Sequence, residues 1–226
     1  MKLLRNPFTF FVGGLLAAYI GWVRPRIARW GTPEGEVTGP QPGDTLIPQP
    51  MLQMTHSISI QASPERVWEW IVQIGYQRGG FYSYDWLERM AGLKGLQSAT
   101  RIEQALQKLQ VGDTVKISPV TPMTVAVLQK NQAMVLRMLM SPITSLPLDR
   151  MHPTEPWMDW SWAFLISPIT GANGAEQSCR LTSRVRAAYA PYLPLWPLMA
   201  IGMEPAAFLM DRKMLETVRS LAEGKA

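Results

Sequence analysis

Apolar positions along the chain recur with two periods, and the alternation between them lays out the elements. Val67, Trp70, Ile71 and Ile74 fall at three- and four-residue steps behind Ser63 and Pro64, which predicts a helix with Ser63 as N-cap, Pro64 at its first position and Gly75 at its end. Arg78-Gly79-Gly80 and an aromatic run follow, and Asp85 with Glu88 has capping-box spacing for a short second helix. Strict alternation marks strands at His56–Ala62, Thr114–Ser118, Met158–Ser167 and Ser178–Ala187, with Arg180, Arg184 and Arg186 in the polar phase of the last; Arg184 and Arg186 read as a solvated strand face, with one of them pointing into a polar pocket as the alternative. Met123–Leu128 and Ala133–Leu139 read as a hairpin around Lys130-Asn131, and Gly171–Gly174 as the turn between the last two strands. Ser98–Leu109 has helical spacing, Pro191–Met203 reads as a bent, buried connection, and Pro205–Ala222 as a long amphipathic helix. The apolar stripe of that helix is Ala207, Met210, Met214, Val218 and Leu221; Asp211 and Arg212 lie on its polar side. The order predicts an α+β fold, a curved antiparallel sheet with the terminal helix across its concave face.

The first fifty residues stand apart from this pattern. Phe8–Val23 carries no charge over sixteen residues, roughly 24 Å as a helix, with Tyr19 and Trp22 toward one end and Lys2, Arg5, Arg24, Arg26 and Arg29 flanking it. A buried helix of the soluble domain is the competing reading for that length, and a cleaved signal peptide lacks its small-residue site. The segment is read as a single-pass N-terminal membrane anchor (residues 1–30), with the basic excess after it placing the main domain in the cytoplasm. Residues 31–51, with five prolines and four glycines, form a linker that lies along the domain or spaces it from the membrane, and residues 52–226 form the main domain.

Composition narrows the chemistry. Apolar residues make up 47% and charged residues 17%, and the net charge of +5 is scattered, so no nucleic-acid-binding arm is present. One cysteine, Cys179, read as a small apolar strand residue, rules out an intrachain disulfide, and two histidines far apart give no metal-ligand spacing. Fourteen methionines suit irregular apolar walls. No nucleophile elbow, zinc-binding helix or phosphate-binding glycine loop occurs, so no cofactor, metal or catalytic set is assigned.

The succession of SPERVWEWIVQIG, RGGFYSYDWLE, VGDTV, WSWAFLI and EPAAFLMDRKMLE resembles the SRPBCC (START-like) superfamily, the helix-grip fold of the birch-pollen allergen and of polyketide cyclase/dehydrase-type proteins, over Leu52 to Glu223. The segments from Arg78 to Trp86 and from Glu204 to Met214 are similar to a bacterial subgroup of it. The resemblance implies a pocket between sheet and terminal helix that takes a hydrophobic small molecule or lipid, and it implies no shared reaction. Candidate ligand-binding residues are Arg78, Phe81, Tyr82, Tyr84 and Asp85 from the aromatic loop, Trp160, Trp162 and Phe164 from the sheet, and Ala207, Met210 and Met214 from the helix. The expected function is membrane-anchored, non-catalytic binding. The alternative is a small cyclase, dehydratase or isomerase in which Arg78, Tyr82, Tyr84 and Asp85 do acid–base work.

Overall fold

The computed structural model describes residues 7–151, 154–169 and 178–225. His152, Pro153 and the expected turn at 171–174 lie outside the described residues.

Six antiparallel strands form one sheet in the order β1-β6-β5-β4-β3-β2: β1 (Leu52–Ile60), β2 (Thr114–Ser118), β3 (Thr121–Gln129), β4 (Ala133–Met140), β5 (Trp157–Ile169) and β6 (Ser178–Ala190). Register shifts at Lys116/Ser118 and Val125/Val127 interrupt the ladder where the sheet bends. The long helix α7 (Glu204–Ala222) lies across the concave face, packed on β1, β6 and the helix α4 (Pro64–Val72). Inward residues at every second position, such as Met54, Ile58 and Ile60 on β1 and Phe164 and Ile166 on β5, make the core with Met214, Leu215 and Val218 of α7. Cys179 is fully buried on β6, and burial pushes its thiol up to about 12, which leaves it unreactive.

The proline-rich stretch does not stand off from the sheet. Ala28 and Trp30 accept backbone hydrogen bonds from Thr55 and Ser57 beside β1, and the chain then crosses the outer face through two short turns, α3 (Glu34–Thr38) and a 3-10 turn at Asp44–Leu46. Leu46 packs on Val135, Ala163 and Leu165 there. The β6 arginines, expected in solvent, hold this strap instead. Arg184 is 1% exposed and donates to the Asp44 carboxylate and to the Glu36, Val37 and Gly39 carbonyls; Arg180 pairs with Glu36, and Arg186 with Asp44. Proline removes backbone donors from the strap, and the guanidinium groups satisfy its carbonyls in their place.

Two expected elements differ. Ser98–Leu109 contains only a 3-10 turn, Gln104–Leu106. Side chains of the preceding helix region claim its backbone: Glu103 N–H donates to Gln73 Oε1, and Arg78 reaches the Leu106 carbonyl. Local spacing loses to these tertiary bonds. Pro191–Met203, expected as a bent and buried connection, is buried only at Met199 and Ala200. It is helical through α6 (Tyr192–Pro197) and a π-helical stretch (Leu198–Met203), and it runs straight into α7. Leu193, Leu198 and Ile201 are 81%, 51% and 47% exposed. The N-terminal helix is likewise continuous, through α1 (Pro7–Ala18), a π turn (Tyr19–Val23) and α2 (Arg24–Ile27). The two apolar segments are joined side by side: Tyr19 Oη donates to the Ala200 carbonyl at 2.6 Å, and Arg24 makes a bidentate ion pair with the buried Glu204 at 2.7 and 2.8 Å. By length and composition, the helix among the described residues apolar enough to cross a membrane is Tyr192–Ala222, not the N-terminal one. Its residues 204–222 are committed to the sheet, so of its first twelve residues those other than Met199 and Ala200 are at least partly open to the surface.

Candidate ligand cavity

The aromatic loop is built inward from α4. Arg78 turns back to donate to the Val72 and Ile74 carbonyls at the end of α4, which otherwise lack partners. The helix therefore closes at Gln73, two residues before Gly75. Gly79 and Gly80 permit the close approach that follows. A Cβ on Gly79 would lie 2.8 Å from the Gln73 carbonyl oxygen, and one on Gly80 would lie 2.7 Å from the Ser98 Cα at a left-handed φ of 74°. Gly80→Ala is expected to cost about 2–4 kcal/mol, because strain and backbone overlap add and the neighbour cannot yield; equilibrium urea unfolding measures it.

Beyond the glycines the loop is cinched onto itself. Tyr82 is 1% exposed, its hydroxyl accepts from Gln73 Nε2 at 2.8 Å, and burial raises its pKa to about 12. Asp85 accepts from the Ser98 N–H and Oγ at 2.8 and 2.6 Å. With its carboxylate taken by Ser98, Asp85 forms no capping box, and Tyr84 holds the N-cap position of the helix α5 (Asp85–Met90). Glu88, freed from capping, turns into the protein.

Between α5, α7 and the sheet lies a partly open cavity of about 210 Å³ with almost wholly apolar walls. That volume lies under the ~300 Å³ at which small-molecule pockets ordinarily begin, so it suits a small ring system or one end of a longer molecule. Trp160 and Trp162 wall it from the sheet, Phe81 from the loop, and Ala207, Met210 and Met214 from α7. Six of the residues expected from the sequence to bind a ligand therefore converge here. Phe164 packs behind Trp162 at a ring distance of 4.6 Å and is fully buried in the core. Arg78, Tyr82, Tyr84 and Asp85 do not line the cavity, because their polar atoms or backbone serve the loop and α4.

Polar groups that spacing alone did not single out sit at the cavity. Asp211 lines it and is the centre of a buried chain: Trp162 Nε1 donates to Ser183 Oγ at 2.9 Å, Ser183 Oγ donates to Asp211 Oδ1 at 2.8 Å, and Asp211 Oδ2 meets His56 Nδ1 at 2.5 Å. His56 Nε2 faces the Ile27 carbonyl at 2.8 Å, which can only accept, so that nitrogen carries a hydrogen. The chain thus ties the cavity wall to the end of α2. Glu88 is 1% exposed and lines the same cavity, yet neither carboxylate oxygen has a hydrogen-bonding partner. Burial raises its pKa to about 7, with the Asp85 charge adding to the rise; nearby Ser83 opposes it, but its hydroxyl is in no hydrogen-bonding geometry. Among the described residues no three histidine, cysteine or acidic side chains converge to hold a metal ion.

No family model and no curated protein matches the chain. Solved structures do. A protein of Nitrosospira multiformis is 12% identical over 75% of this chain and 94% of its own, with a TM-score of 0.42. A protein from Arthrobacter aurescens is 13% identical over 77% and 88%, with a TM-score of 0.41. A truncated norcoclaurine synthase from Thalictrum flavum is 14% identical over 75% and 92%, with a TM-score of 0.38. By its own element order, a single antiparallel sheet bent around one long terminal helix with a cavity between them, the chain has a helix-grip fold.

Proposed function

We propose that the protein is a membrane-tethered, non-catalytic binder of a small apolar molecule or of one end of a lipid. The carrying observation is the cavity itself. A space of about 210 Å³ walled by indole, phenyl and methionine side chains is a poor place for water and a good one for carbon. Filling it is the direct test. Naphthalene should raise the melting temperature of the parent chain, and Ala207→Trp, which closes the cavity from α7, should lose that response. An equal response in both chains would contradict the assignment.

The tether rests on the two exposed apolar segments. Phe10, Phe11 and Leu15 of α1 are 71%, 64% and 56% exposed, and Leu193, Leu198 and Ile201 are exposed on the segment that Tyr19 and Arg24 tie to the same helix. Arg26 lies over the Trp22 ring at 4.2 Å and Arg24 over the Trp196 ring at 5.9 Å, so basic and aromatic groups gather where these segments meet the domain, the arrangement favoured at a membrane interface. Twelve residues reach only about 18 Å, so the second segment enters one leaflet while the first carries the anchor. Loss of residues 1–23 should leave partial affinity for vesicles, and Leu193, Leu198 and Ile201 changed together to serine should reduce the remainder roughly tenfold or more in flotation. Protease accessibility in inverted vesicles tests the cytoplasmic placement of the domain.

A further inference from the structure

Glu88 is the one carboxylate among the described residues with both oxygens buried and without a partner. It is not alone. The Ser83 hydroxyl and the Trp160 indole N–H are also screened from solvent and unpartnered, and all three residues line the same cavity. Buried polar atoms left unpaired cost about 1–3 kcal/mol each, so three such side chains around one apolar space form a group that the protein by itself leaves incomplete. The remaining polar side chain at the cavity, Asp211, already has His56 and Ser183.

We propose that Glu88, Ser83 and Trp160 recognise the hydroxyl group of an otherwise apolar ligand, an alcohol or phenol. The chemistry of the three groups selects this class. The indole N–H can only donate and therefore needs an acceptor on the ligand. Above about pH 7, where Glu88 has lost its proton, its carboxylate can only accept and needs a donor, while Ser83 can do either. A single hydroxyl oxygen supplies acceptor and donor together. An ammonium offers no acceptor to Trp160, a ketone offers no donor to Glu88, and a hydrocarbon satisfies neither. The surrounding wall of Phe81, Trp162, Met210 and Met214 takes the rest of the molecule.

This inference rests on the cavity-binding reading, and one experiment separates the two. Equilibrium binding of 2-naphthol, naphthalene and 2-naphthylmethylammonium is measured at pH 8 on the full chain in nanodiscs, with empty nanodiscs subtracted, for the parent, Glu88→Met and Trp160→Phe. A hydrogen bond to a charged group is worth about tenfold or more in affinity. The expected result is that 2-naphthol binds the parent at least about tenfold more tightly than naphthalene. Glu88→Met should erase most of that preference and leave naphthalene binding intact; Trp160→Phe should reduce it. Equal binding of naphthol and naphthalene, or tightest binding of the ammonium, overturns the hydroxyl assignment while the apolar cavity stands. Binding of none of the three overturns both. The melting temperature of each variant, followed by circular dichroism, confirms that it is folded.

Discussion

Asp211→Ala is expected to destabilise the domain by about 3–5 kcal/mol, the cost of leaving two buried hydrogen-bonding partners without their acceptor. The carboxylate accepts from Ser183 and pairs with His56, and both partners are 1% exposed, so neither finds water when it is removed. His56 Nε2 remains bound to the Ile27 carbonyl, which holds the ring in place with its other nitrogen facing a void. The loss corresponds to a melting temperature lower by about 10 °C for a domain of this size. Asp211→Asn, which keeps an acceptor for Ser183, should lose less. Removing both partners by His56→Phe with Asp211→Leu should recover part of the loss, because no imidazole nitrogen then faces a void, while the Ser183 hydroxyl and the Ile27 carbonyl still lose their partners. A change within about 0.5 kcal/mol for Asp211→Ala would contradict the cluster.

Glu88→Gln is expected to stabilise the protein, and only above about pH 4.5, with the full effect at neutral and alkaline pH. The folded chain holds the Glu88 proton up to about pH 7 while the unfolded chain releases it near the ordinary 4.5. Between those values the native state binds more protons than the unfolded state, so stability falls as pH rises. The penalty is absent below about 4.5, grows by about 1.4 kcal/mol per pH unit, and levels near about 3 kcal/mol above 7. The charges that act on Glu88 are Asp85, which raises the value, and Arg89, which lowers it; Asp211 faces the same cavity from α7. Parent and variant should therefore melt alike at pH 4.5 and diverge by several degrees at pH 8, the variant higher. A difference that is constant across this range would show that Glu88 does not titrate between those values.

Much of this architecture was legible from periodicity, because a bent sheet over a helix writes itself as alternation and as three- and four-residue steps. Ile58, Ile60, Trp160, Trp162, Phe164, Met210 and Met214 all face inward as their spacing requires. What failed was what depends on partners distant in sequence. The β6 arginines match a solvent phase by alternation, and only the strap from 31–50 buries them. Pro191–Met203 looks like core by hydrophobicity, yet Leu193, Leu198 and Ile201 are exposed and only Met199 and Ala200 are buried. Glu88 sits at a capping distance from Asp85, and local spacing could not reveal that Ser98 takes the Asp85 carboxylate and leaves Glu88 to the cavity. His56 alternates as a polar position on β1, and its pairing with Asp211 spans 155 residues.

Whether a ligand occupies the hollow between sheet and α7 is read most simply by native mass spectrometry of the full chain, released from lipid nanodiscs isolated with their cellular lipid. The expected spectrum shows the mass of the chain plus one small apolar molecule, and the bare chain alone for Ala207→Trp. A bare parent chain, or an adduct retained unchanged when Ala207 is replaced by tryptophan, would mean that this hollow is not where a ligand resides.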